Sequence, residues 1–96
     1  MQEKNAIMKE LGVYRKNIDK IDDKIIKLLN ERGRLVEKVG DLKRRCNLDI
    51  YQPERENEII ERLKQKSTII KTKNIKAIWR EIFDACKFIQ KRQESD

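Results

Sequence analysis

Ile18, Ile21, Ile25, Leu28, Leu35, Val39 and Leu42 recur by alternating steps of three and four residues, with Arg32 holding the place between Leu28 and Leu35. This is the seam of an α-helix that packs lengthwise on a partner. Gly12, Gly33 and Gly40 fall in the same stretch, each costing about 1 kcal/mol relative to alanine, yet none comes with a proline or a polar cluster. The pattern therefore predicts one helix over about residues 6–45, roughly 60 Å long at 1.5 Å per residue. No compact monomer of 96 residues is that wide. The helix needs a partner along its length, which points to a dimer.

The segment Cys46 to Gln52 (CNLDIYQ) breaks the period and reads as a connection. Pro53 suits the first position of a second helix, and Glu54 and Glu56 sit favourably near its positive end. That helix is expected over about 53–66, through Ile59, Ile60 and Leu63. Ser67 to Thr72 forms the next link, and Thr72 or Asn74 is a candidate cap for a third helix over about 73–91. Ile75, Ile78, Trp79, Ile82, Phe83, Cys86 and Ile89 line one of its faces, and the terminal RQESD reads as frayed. There is no strand signal, repeat or low-complexity tract. The expected fold is all-α: one domain over 1–96, a three-helix protomer with a very long first helix.

Composition narrows the chemistry. Only 38% of the residues are apolar and 43% are charged, a thin supply for a self-sufficient core in a small domain. The chain has no histidine, which removes imidazole bases, Ser-His and Cys-His nucleophiles and His-containing metal sites. Two cysteines, Cys46 and Cys86, cannot build a Cys-rich zinc site and suit a reduced, cytoplasmic chain. No signal-peptide run and no membrane-spanning stretch is present, so no membrane partner is expected. Lys and Arg number 24 against 17 Asp and Glu, for a net charge of +7. A basic surface of that kind invites nucleic acid, but the charges are interspersed, and the densest basic stretch, Arg62 to Lys76, carries no aromatic residue for base stacking.

The informative residues are polar ones in apolar seams. Burying the charge of Arg32 costs several kcal/mol unless it is paired, so Arg32 either snorkels outward, pairs with a nearby Glu, or serves a site. Lys43 lies eleven residues on, within about 20° of the direction of Arg32 and roughly 16 Å along the axis. Arg55 falls in the first turn of the second helix, where backbone N–H groups also favour anions. Gln90 stands four residues after Cys86, where the seam calls for an apolar residue, unless the helix simply ends there. Together Arg32, Lys43, Arg55 and Gln90, with Glu56 as an acceptor, suit a small polyanion. No base, nucleophile or metal set accompanies them, which fits a reaction driven by positioning and electrostatics.

Asp19-x-x-Asp22 leading into IIKLLNERGRLVEKVGDLK, then IYQPERENEIIERL and IWREIFDACKFIQ, resembles the all-helical chorismate mutases over about residues 11–91. The spelling is similar to mutase domains fused to prephenate dehydratase and to their free-standing relatives. The resemblance implies an intertwined homodimer with two active sites that convert chorismate to prephenate by a concerted [3,3] shift, on the way to phenylalanine and tyrosine. It implies neither a cofactor nor a metal. Arg32 and Arg15 would grip the substrate carboxylates, and Lys43 and Gln90 would donate to the ether oxygen as its bond breaks. Glu56 would accept from the ring hydroxyl, with Arg55 in support and the backbone around Gln52 touching the same hydroxyl. Arg15 and Arg32 are seventeen residues apart, which on one helix means roughly 25 Å and about 100° out of phase. If both touch one substrate, Arg15 comes from the other protomer.

Three departures from the family pattern stand out. Gln52 replaces an acidic residue common in the family, Cys86 replaces a small hydroxyl residue, and the link KSTIIKT lacks a Gly-Pro. A thiol is the weaker donor, whereas a backbone contact at Gln52 is indifferent to its side chain. Two other readings share the residues: an isochorismate pyruvate lyase of the same fold, and a non-catalytic basic helical dimer that binds nucleic acid. The combination of Glu56 and Gln90 favours the mutase.

Overall fold

The computed structural model describes residues 1–94, with side chains as far as Lys91. It contains three α-helices, α1 (Gln2–Arg45), α2 (Pro53–Lys66) and α3 (Thr72–Glu94), and no strand among the described residues. Helix α1 begins at Gln2, ahead of the expected start near residue 6, because MQEKN holds no helix breaker and Glu3 lies in its first turn, at the positive end. Residues 92–94 continue α3 where fraying was expected, and Ser95 and Asp96 lie outside the described residues. The chain divides into two compact units, Met1–Arg32 and Gly33–Asp96. The first consists of the N-terminal part of α1. The second holds the remainder of α1 with α2 and α3.

Within the second unit, the end of α1 sets the course of the connection. Lys43, Arg44 and Arg45 close the helix with positive charge at its negative end. Asn47 then takes a left-handed conformation, φ 57°. Asparagine is among the few non-glycine types that enter this region readily. The Leu48 amide donates to the Lys43 carbonyl at 2.8 Å and the Asn47 amide to that of Arg44 at 3.4 Å. This pair of bonds is the Schellman closure of a helix end.

Helix α2 starts as expected on Pro53, whose missing N–H would have had no partner in the first turn anyway. Gln52 occupies the cap position without a side-chain bond. Its carbonyl instead accepts from the amides of Arg55 (3.1 Å) and Glu56 (3.3 Å). At the far end the Ser67 amide donates to the Leu63 carbonyl at 3.0 Å, and its Oγ to the Ile70 carbonyl at 2.6 Å. The structure corrects the start of α3. The Lys71 carbonyl takes the first helical bonds, from Asn74 and Ile75, so Lys71 holds the capping position rather than Thr72 or Asn74.

Helices α2 and α3 pack against each other. Ile59 of α2 and Ile75 and Phe83 of α3 are the buried hydrophobic residues, while Trp79, Ile82, Cys86 and Ile89 are half-buried. The C-terminal part of α1 meets α3 at Gly33. Gly33 and Gly40 are buried, and a Cβ built on Gly33 would sit 3.4 Å from Cδ1 of Ile89. The helix-propensity cost of glycine thus coincides with close packing.

This core is small. Leu28 is 60% exposed and Leu35 61% exposed, and Ile18, Ile21, Ile25, Val39 and Leu42 are exposed as well. Among the described residues no helix is long and apolar enough to cross a membrane.

Candidate active site

The two expected donors to an ether oxygen are both anchored on backbone carbonyls within the second unit. Gln90 is 5% exposed, and its Nε2 donates to the Val36 carbonyl of α1 at 3.2 Å. It is no frayed end, since α3 continues beyond it. Val36 lies between the buried glycines Gly33 and Gly40 of α1. Lys43 stands two helical turns after Val36. Its Nζ donates to the Ile50 carbonyl at 3.2 Å, a group that the turn at Asn47 delivers. An ammonium has three N–H donors and a glutamine amide two. One anchoring bond fixes each nitrogen and leaves it able to donate again.

The remaining expected residues take varied positions. Glu56, half-buried in the first turn of α2, pairs with Lys87 of α3 at 3.1 Å. Gln52 is half-buried at the head of α2, and Arg55 beside it is exposed. Cys86 is half-buried, one turn before Gln90. Its thiol is free of any disulfide. Arg32 is half-buried and Arg15 exposed, both in the first unit. Among the described residues no group of three or more His, Cys, Asp or Glu is placed to hold a metal ion.

A cleft of about 390 Å³ opens on α2 and α3. Of the expected site residues, Glu56 alone lines it. Its other walls include Tyr51, Ile60 and Phe83, with cations at Lys76, Arg80 and Lys87 and carboxylates at Glu61 and Asp84. The charges are of both signs, so this cleft is not the cation-lined receptacle that the polyanion reading requires.

Lys87 and Tyr51 were not marked by sequence reasoning. The available signal was a lone charge in the otherwise uncharged run ACKFIQ. The anchoring carbonyls of Val36 and Ile50 left no trace in residue types, since every residue carries a carbonyl.

Fold and site together define an all-helical protein with fixed neutral and cationic donors, and no histidine to act as a base. Residues 14–91 match the family described as chorismate mutase type II, and the chain belongs to that family. It is 39% identical over 90 residues to the bifunctional chorismate mutase/prephenate dehydratase of Aquifex aeolicus, covering 88% of this chain and 25% of that protein. Against the chorismate mutase of Methanocaldococcus jannaschii it is 39% identical over 59 residues, covering 62% of this chain and 60% of the relative. The chain thus spans less than two thirds of the length of either. Among solved structures, chorismate mutase (form II) from Thermus thermophilus superposes with a TM-score of 0.84 at 33% identity, covering 88% of this chain and 97% of that one.

Proposed function

We propose that this chain is a chorismate mutase that works as a homodimer, converting chorismate to prephenate. In this reaction the C–O bond of the enolpyruvyl ether breaks as a new C–C bond forms, in one concerted step. Negative charge grows on the ether oxygen, and no proton needs to leave or arrive. Donors held in place before the reaction stabilise that charge without reorganising at the moment of bond breaking. Lys43 and Gln90 meet this requirement, and their anchoring on the Ile50 and Val36 carbonyls is the observation that carries the proposal.

The other roles follow the family motif. Arg32 and the partner subunit's Arg15 bind the two carboxylates, a task that suits the fork of a guanidinium. These contacts hold the flexible substrate in the compact geometry that the rearrangement needs. Glu56 accepts from the ring hydroxyl, the Gln52 backbone approaches the same group, and Arg55 and Cys86 line the site. The exposed seam on α1, from Ile18 to Leu42, supports a second copy as the partner: a repeating apolar stripe of that kind calls for another helix.

The test is direct. Purified protein is mixed with chorismate and, separately, with isochorismate, the loss of each substrate is followed, and the products are identified. Prephenate formed well above the uncatalysed rate is expected. No acceleration, or release of pyruvate from isochorismate in its place, would overturn the proposal.

A further inference from the structure

Two groups from outside α3 meet the ammonium of Lys87. Its Nζ donates to Oε2 of Glu56 at 3.1 Å, joining α3 to α2. The same nitrogen lies 4.4 Å from the centre of the Tyr51 ring, in the connection that precedes α2. Both members of the ion pair are 26% exposed, against 48% and 64% for the surface pair Lys64–Glu61. A surface Lys–Glu pair contributes little because two long side chains must be ordered. Here the ring restrains the ammonium from a second side, and both residues rise from packed helices.

The pairing engages one carboxylate oxygen of Glu56. A carboxylate offers about four lone-pair sites, so the group can still accept from a hydroxyl. Two consequences follow for a dianionic substrate. An unpaired carboxylate beside it would repel it. A carboxylate free to turn about its side-chain torsions would also spend less time aimed at the ring hydroxyl.

We infer that Lys87 is a positioning residue for Glu56: held by the Tyr51 ring, its ammonium orients the carboxylate toward the substrate's ring hydroxyl and offsets its charge. The inference rests on the chorismate mutase reading of the site. It assigns Lys87 no contact with the reacting atoms. Its mark is selectivity for the hydroxyl, which a merely structural ion pair would not affect.

The experiment compares chorismate with its analogue in which hydrogen replaces the ring hydroxyl. Both are assayed with the wild-type chain and with the Lys87→Met, Lys87→Arg, Tyr51→Leu and Lys87→Met/Glu56→Gln variants. For Lys87→Met, KM for chorismate should rise about tenfold or more, and the kcat/KM preference for chorismate over the analogue should fall by a similar factor. Lys87→Arg should retain both. The double variant should recover KM, because the uncompensated charge is gone, but not the preference. Tyr51→Leu lies outside the helices and should lower the preference about two- to fivefold, which keeps the test available if Lys87→Met does not fold.

An unchanged preference in Lys87→Met and Tyr51→Leu, whatever their melting temperatures, overturns the positioning role and leaves the mutase reading intact. A wild-type chain that accelerates neither substrate overturns both.

Discussion

Under the proposed function, Gln90 and Lys43 divide one task in different ways. Gln90 is buried and neutral, so its amide donates without any change of protonation. Lys43 brings a full charge but stands half-buried, tethered to the Ile50 carbonyl. Removing either should cost transition-state stabilisation, whereas overall helicity should remain. Lys43→Ala is expected to lower kcat by about 10²–10³-fold, the usual loss for one donor at a developing oxyanion. Gln90→Glu separates donation from size. A glutamic acid donates only when protonated, and its ordinary pKa is about 4.3. The variant should be nearly inactive at neutral pH and gain activity as pH falls into the carboxylic acid range, while the wild type shows no such gain. A pH–rate profile for each protein decides it, and a variant with wild-type activity at pH 7 would rule out donation by residue 90. Of these two residues, the sequence marked both as polar intruders in helical positions. Their carbonyl partners were not legible, because a backbone acceptor is identified by its place in space and not by its side chain.

At the level of the element, the glycines and the turn after α1 govern where the donors stand. A Cβ added at Gly33 would meet Cδ1 of Ile89 at 3.4 Å, so a methyl group is in contact there and a longer side chain has to displace Ile89. Gly33→Leu should destabilise the protein by about 1–3 kcal/mol through overpacking, and it should lower activity further by moving Gln90 off the Val36 carbonyl. Asn47 holds its left-handed conformation without the freedom of glycine. Asn47→Gly should keep stability within about 1 kcal/mol, whereas Asn47→Val should lose roughly 1–2 kcal/mol. Thermal melts read alongside kcat check all three variants. The seam of α1 and the start of α2 were plain from periodicity and from Pro53. The start of α3 was less so: Thr72 and Asn74 are good caps by type, yet the Lys71 carbonyl received the first bonds. Capping preferences of about 1 kcal/mol are weak enough for tertiary packing to override.

For the molecule as a whole, the decisive feature is the apolar stripe of α1, whose residues Ile18, Ile21, Ile25, Leu28, Leu35, Val39 and Leu42 are all exposed. A C2 pairing would cover it and would bring the partner subunit's Arg15 to each site. Light scattering should give about twice the 11.6 kDa chain mass, and the melting temperature should rise with protein concentration. Arg15→Ala and Lys43→Ala proteins, each nearly inactive, should regain roughly a quarter of wild-type specific activity after co-refolding, because random pairing makes half the dimers mixed, each with one intact site. No recovery on mixing would show that each site is built from a single chain. The net charge of +7 suits the dianionic substrate of the proposed function, which assigns a role to only a few of the basic residues.

Periodicity, proline placement and the lack of histidine were enough to determine the helical class, the three elements and a chemistry without an imidazole base. These are properties of chain-local geometry and residue type, which follow from the order of residues along the chain. What only the tertiary structure decided is which groups meet across helices: Gln90 on Val36, Lys43 on Ile50, and Lys87 between Glu56 and Tyr51. Such meetings depend on the rotation of each helix and on the path of the connections. These are set by packing at Ile59, Ile75, Phe83 and the buried glycines, and one turn at Asn47 redirects everything after it.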